Sequence, residues 1–194
     1  MVTVIRLTEK WPNPYDSREY HLLDGLMDPL RFDRDFTFFF GRSPGDVMRE
    51  AEVWLWLEEG KARWEESAFA YGHIQITDPI HKEHVARLGV CVLPNYRHNG
   101  WGTQVVGRLI QEAQAMGLKK LVATVFADNK AMLHIYHDKF GFEIEGHYRR
   151  EECWEGEYRD VLSLAKFLDT RPEPVNVMVT STPMPNYGVR TYGG

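Results

Sequence analysis

Residues 90–104 read VCVLPNYRHNGWGTQ, and this stretch decides the fold. It closes the apolar, β-branched run ARLGVCVLP (86–94), a strand that Pro94 stops because proline has no N–H to give a ladder. Beyond it, Gly102, Val105, Val106, Leu109, Ile110 and Ala113 recur at three- and four-residue steps, the spacing of one helix face, up to a stop near Gly117. A loop holding Arg97, Gly100 and Gly102 joins the two. A helix start leaves four N–H groups unpaired and carries about half a positive charge, so glycines that let the backbone come close make a cradle for a pyrophosphate. RxxGxG by itself is equally a strand-to-helix turn that uses glycine for geometry.

Working outward, LVATVFA (121–127) reads as a buried strand. Asp128 or Asn129 can cap a short helix through about Lys139, and FEIEGHYR (142–149) and YRDVLSLAKFL (158–168) read as strands around a turn at Glu155 and Gly156. Upstream, EVWLWLEE (52–59) and SAFAYGHIQI (67–76) flank a turn at Gly60 and form a hairpin. TVIRLTE (3–9) is a short first strand. Residues 15–50 read as helical and irregular, with the aromatic run FTFFF (36–40) and an N-cap signal at Ser43 followed by Pro44. Trp11, Trp54, Trp56, Trp64 and FTFFF are expected to be mostly core. An α/β order with hairpins at both ends fits a mixed sheet better than a doubly wound one.

At 194 residues and 22.6 kDa the chain predicts one domain, residues 1–170. Residues 171–194 are expected to be an extended tail, with Pro172, Pro174, Pro183 and Pro185, in which Val175–Ser181 has strand-like composition and is a candidate to pair with a sheet edge or a second subunit. A homodimer is therefore one open arrangement. A composition 43% hydrophobic and 26% charged is globular rather than disordered. The net charge of −5 offers no basic footprint for nucleic acid. No run of about 18 apolar residues and no signal-peptide pattern at the start predict neither a membrane span nor export, with the cytoplasm as the default address. Cys91 and Cys153 lie outside any metal-ligand spacing, which predicts reduced structural thiols and no metal.

Downstream of the loop, Asn129 is followed seven residues later by Tyr136 and then by FGF (140–142). Seven residues are about two helical turns, so both side chains can project toward the preceding loop. Taken together, the strand, the proline, Arg97, Gly100, Gly102, the helix, the next strand, Asn129, Tyr136, Gly141 and Phe142 resemble the GNAT superfamily of N-acetyltransferases. The resemblance covers residues 82–168 by motif and 1–81 by order of elements. The ending from Phe142 to Leu168 looks most like the branch that acetylates polyamines, other small amines or protein N-termini.

That resemblance implies a mostly antiparallel mixed sheet flanked by helices and splayed between the fourth and fifth strands. It implies acetyl-CoA as co-substrate and a direct attack of a primary amine on the thioester. Val90, Cys91 and Val92 would offer main-chain groups to the pantetheine arm, and Arg97, His98, Asn99, Gly100, Trp101, Gly102 and Thr103 would hold the pyrophosphate. Asn129 would hydrogen-bond the pantetheine, with Tyr136 near the sulfur as general acid. Residues 15–40 sit where the resemblance places acceptor contacts and would add an aromatic wall.

A lysine-like amine is only about 0.04% neutral at pH 7, at a cost of about 4.6 kcal/mol, so a base is expected. The glutamate that many relatives carry before the LG of this strand is Arg87 here, which leaves His73, Glu83, Glu151, Glu152 or a water chain. Residues 143–160 hold seven acidic side chains against three arginines, which would favour a cationic amine or polyamine, whereas Arg87 would favour a carboxylate-bearing one. Acetylation of protein N-termini or lysines is the second enzymatic expectation. A non-catalytic acyl-CoA-binding module is the alternative of another class, motivated by the absent glutamate.

Overall fold

Seven strands and four helices alternate along the chain in the computed structural model, which describes residues 1–7, 17–30, 42–76 and 78–169. They are β1 (Val2–Leu7), α1 (Arg18–Met27), α2 (Pro44–Glu50), β2 (Glu52–Glu58), β3 (Ala68–Gln75), β4 (Val85–Val92), α3 (Trp101–Ala115), β5 (Lys120–Phe126), α4 (Lys130–Leu133), β6 (Glu143–Trp154) and β7 (Glu157–Phe167). Trp11, the FTFFF run and the tail 171–194 lie outside the described residues.

All strands join one sheet in the order β1-β2-β3-β4-β5-β7-β6. Every neighbouring pair is antiparallel except β4 and β5, whose parallel pairing needs the long crossover that α3 supplies. Their pairing runs only from Val85↔Lys120 to Arg87↔Val122, although the strands continue to Val92 and Phe126. The sheet therefore parts at its centre, as the resemblance implied.

Period-two alternation sends the two faces of the sheet into two cores. On one face α3 buries Val105, Val106, Leu109, Ile110 and Ala113 against Ile74, Leu88 and Val90. On the other, α1 buries Leu22, Leu23, Leu26 and Met27 against Val53, Leu55, Tyr71 and Cys91. Each fully buried Leu or Val contributes about 1.5–3 kcal/mol relative to exposure. Trp54 and Trp56 are core, but Trp64 is not: it sits on a single 3-10 turn, 38% exposed, with the Arg18 guanidinium 5.3 Å from its ring.

The expected start of α2 is built as a capping box. Ser43 Oγ accepts from the Asp46 N–H at 3.2 Å, and Asp46 Oδ2 accepts from the Ser43 N–H at 2.8 Å. That backbone bond to Ser43 holds the Asp46 carboxyl below its ordinary pKa. The box fixes the chain next to Arg42, which matters for the site.

Candidate active site

Past Val92 the chain makes a 3-10 turn at Pro94–Tyr96 and then enters α3 through Gly100, whose φ of 81° is left-handed and suits glycine. Arg97 Nε donates to the Val92 carbonyl at 2.9 Å, tying the loop to the strand end. A Cβ built on Gly100 meets nothing within 4 Å, so the backbone there faces open space.

That space is a cleft of about 390 Å³. Its strand wall is Val90, Cys91 and Val92, and its loop wall is Arg97, His98, Gly100, Gly102 and Thr103. Asn129 closes it from the next helix. Asn99 and Trp101 lie outside the lining; the Trp101 ring packs edge-on against Phe69 at 4.9 Å, so only main chain at that position is left for the loop. The sequence reading missed His134 and Lys139, which also line the cleft; Lys139 Nζ donates to Thr103 Oγ1 at 3.3 Å.

These two residues reach the loop because the helix after Asn129 changes pitch. Asn129 caps α4 by accepting from the Met132 N–H at 3.1 Å, and residues His134–Lys139 then form a π-helix, a form that recurs at functional sites. Tyr136 lies inside that π turn, buried, with its ring 5.0 Å from Phe142. Burial pushes its phenol pKa above the ordinary value, so the hydroxyl keeps its proton at neutral pH.

A second cleft of about 240 Å³ opens where β4 and β5 part. Leu88, Gly89 and Val90 form one wall and Thr124, Val125 and Phe126 the other, with Tyr136 and Met132 at the helix side. Arg42, His73, Gln75 and Arg87 enter from the α1/α2 face, and Glu152 and Val161 from the β6–β7 hairpin. Val90, Asn129 and Met132 belong to both clefts.

The polar groups of this cleft divide into paired and unpaired. Arg42 pairs with Glu50, to which Gln75 Nε2 also donates at 3.3 Å. His73 is 3% exposed, with Nδ1 2.9 Å from the Tyr71 hydroxyl; burial first, and the Arg42 charge second, push its pKa down to about 3. A Cβ on Gly89 would stand 2.2 Å from His73 Cε1, so the imidazole occupies the room that glycine leaves on β4. His73 is thus a structural residue, neutral at pH 7. Arg87 is exposed and Glu152 half-buried, and neither makes a hydrogen bond, ion pair or ring contact among the described residues.

The acidic hairpin does not surround the cleft with charge. Glu145 pairs with Lys120 at 2.7 Å, and Asp160 accepts from His147 at 2.7 Å and from the Arg150 N–H at 2.8 Å. Of the seven acidic side chains between 143 and 160, Glu152 alone lines the cleft. Glu83 and Glu151 are exposed and line neither cleft. Cys91 is buried and Cys153 exposed, and neither is in a disulfide. No described helix is long and apolar enough to cross a membrane.

Comparisons with known proteins agree with this geometry. The chain is 30% identical over 98 residues to the L-amino acid N-acetyltransferase AaaT of Escherichia coli, 49% of this chain and 60% of that one. It is 31% identical over 91 residues to the L-amino acid N-acyltransferase MnaT of Escherichia coli, 47% of this chain and 52% of that one. The chain thus spans a little over half the length of either relative. A GNAT-family acetyltransferase from Streptococcus pneumoniae shares the fold with a TM-score of 0.69 at 21% identity, over 87% of this chain and all of that one. The yncA acetyltransferase from Salmonella typhimurium, solved with its cofactor acetyl-CoA, matches with a TM-score of 0.66 at 16% identity, over 91% of this chain and 99% of that one. The model of the acetyltransferase (GNAT) family matches residues 10–142, well over half of the chain, and spans β4, the glycine loop, α3 and the π turn with Tyr136. The chain belongs to the GNAT acetyltransferase family.

Proposed function

We propose that the chain is an acetyl-CoA-dependent N-acetyltransferase that passes acetyl directly to a small primary amine. The observation that carries this reading is the meeting of the two clefts along Val90, Asn129 and Met132, with Tyr136 on the far side. One cleft has a helix-start loop suited to a pyrophosphate, and the other has room for an acceptor beside a protonated phenol. The reading treats residues 1–170 as the catalytic domain and 171–194 as an appended tail.

Acetyl-CoA, when bound, supplies a thioester carbonyl and a good thiolate leaving group. The main chain of Val90–Val92 and the Asn129 side-chain amide hold its pantetheine arm, and the loop Arg97–Thr103 with Lys139 holds its phosphates. The neutral amine attacks the carbonyl carbon, a backbone N–H of Val90–Val92 meets the oxyanion, and as the N–C bond forms the C–S bond breaks. Nitrogen releases a proton to water in the open cleft, and Tyr136 gives its own to sulfur before regaining one from solvent. Cys91 packs among apolar neighbours and takes no acyl group.

A free-thiol release assay tests the reading with small amines, polyamines, peptides with free N-termini and lysine peptides. Turnover with a small amine is the expected result. Turnover of peptides alone would move the acceptor to protein N-termini or lysines. CoA binding without turnover across the whole panel would make the chain a binding module.

A further inference from the structure

The acceptor cleft holds two charges of opposite sign that no described residue pairs with. Several arginines elsewhere are held: Arg6 by Glu52 at 2.8 Å, Arg108 by Glu112 and Arg159 by Asp128, each at 2.5 Å. Within the cleft itself Arg42 is taken by Glu50. Arg87 and Glu152 line the same cleft, no salt bridge joins them, and neither has a partner among the described residues. Strand position explains how each comes to line it. Arg87 is the last β4 residue paired with β5, and Glu152 follows the register shift in β6 between Tyr148 and Glu152.

A guanidinium is a planar fork that matches a carboxylate with two parallel N–H···O bonds, and a carboxylate is the natural partner of an ammonium. Leu88, Phe126 and Val161 give the same cleft apolar walls, and the volume of about 240 Å³ lies below the roughly 300–1,000 Å³ of sites for drug-sized ligands. We infer that the acceptor is a free α-amino acid, its carboxylate gripped by Arg87 and its ammonium by Glu152, rather than a polyamine or an amine without a carboxylate. This rests on the acetyltransferase reading and assigns the two residues that set its specificity. A polycation would meet Arg87 unfavourably and would gain little from hairpin carboxylates of which Glu152 alone lines the cleft.

The experiment compares kcat/KM for L-leucine, L-leucinamide, 3-methylbutylamine and spermidine. The expected result is L-leucine ahead of 3-methylbutylamine by about ten- to a hundredfold, the value of charged hydrogen bonds to one carboxylate. In Arg87→Met that ratio should fall toward one. Arg87→Lys, which keeps the charge without the fork, should retain part of it and serves if the methionine variant is poorly folded. Glu152→Gln should raise KM for L-leucine about tenfold with KM for acetyl-CoA unchanged. Spermidine or 3-methylbutylamine as the better acceptor, or an unchanged ratio in Arg87→Met, overturns the inference while the acetyltransferase reading stands. Acetyl transfer to none of the four, with thiol release from another acceptor, also overturns it. Thiol release from no acceptor removes both.

Discussion

The two clefts that meet at Val90 are built on different principles. The larger is made of two continuous segments, one from Val90 to Thr103 with its glycine loop and one from Asn129 to Lys139. The smaller draws its lining from β3, β4, β5, β6, β7, the helical stretch from Asn129 to Tyr136 and the residue before α2's cap. A ligand held by backbone N–H groups needs glycines at fixed offsets and a helix start, and leaves the other side chains free to vary. A ligand held by side chains from seven places needs no local pattern at all. The difference separates what a local sequence pattern announces from what only tertiary placement assembles.

The largest effect is expected where the two clefts join. Tyr136→Phe removes one hydroxyl from a buried ring and almost no packing against Phe142. If that hydroxyl protonates the leaving sulfur, kcat should fall by about a hundred- to ten-thousandfold, toward the low end because thiolate leaves readily. Affinity for CoA should stay unchanged, and single-turnover kinetics with a titration of CoA check both. An unaltered single-turnover rate would detach Tyr136 from the chemistry and reduce it to a wall of the smaller cleft.

The same contrast explains what the sequence made legible. The β4-loop-α3 segment was readable because proline, the two glycines and the 3.6-residue period all act within about 25 residues. The hairpins β2–β3 and β6–β7 were readable for the same local reason. The order β5-β7-β6, which slips the last strand between its two predecessors, depends on pairing across about 40 residues and has no local mark. The π turn was read as ordinary helix, since nothing in HIYHDK announces i→i+5 bonding such as Phe140 N–H to the Ile135 carbonyl. Arg42, Gln75, Thr124 and Lys139 went unremarked, because each becomes a site residue only through tertiary placement. Arg87 is conspicuous only against the resemblance, and Glu152 is one acid among seven until the fold brings it alone into the cleft.

A second, intermediate effect should appear on the acceptor side alone. His73 is held at a pKa of about 3 against 6.5 for an ordinary histidine, so the unfolded chain binds its proton more readily than the folded one. The sign follows: the stability His73 confers is fully present above pH 6.5 and is lost as pH falls toward 3. By pH 5 the loss should be about 2 kcal/mol, from 1.36 kcal/mol per unit of pKa difference. Denaturant unfolding between pH 7 and 5 measures it, and His73→Asn should flatten the slope by that amount. An equal slope in the variant would mean that the buried imidazole does not carry the acid sensitivity of this side.

The smallest effect tests whether the cofactor side works through its backbone. Gly100→Val places a β-branched side chain at a φ of 81°, in the open space that faces the cleft, and should weaken CoA binding at least tenfold, about 1.4 kcal/mol. Valine confounds two causes, since it strains a left-handed residue and also fills the space. Asparagine separates them: it tolerates the left-handed conformation yet still carries a Cβ and an amide into the cleft. If close approach of the backbone is what matters, Gly100→Asn should bind CoA more weakly while unfolding at nearly the parent midpoint. If Asn binds as well as glycine and only Val fails, the glycine is there to shape the turn. In both variants isothermal titration with CoA should register the change, and the ratio of kcat/KM for two acceptors should not. A shift in that ratio would show that the two clefts, unlike in origin, are coupled through the start of α3.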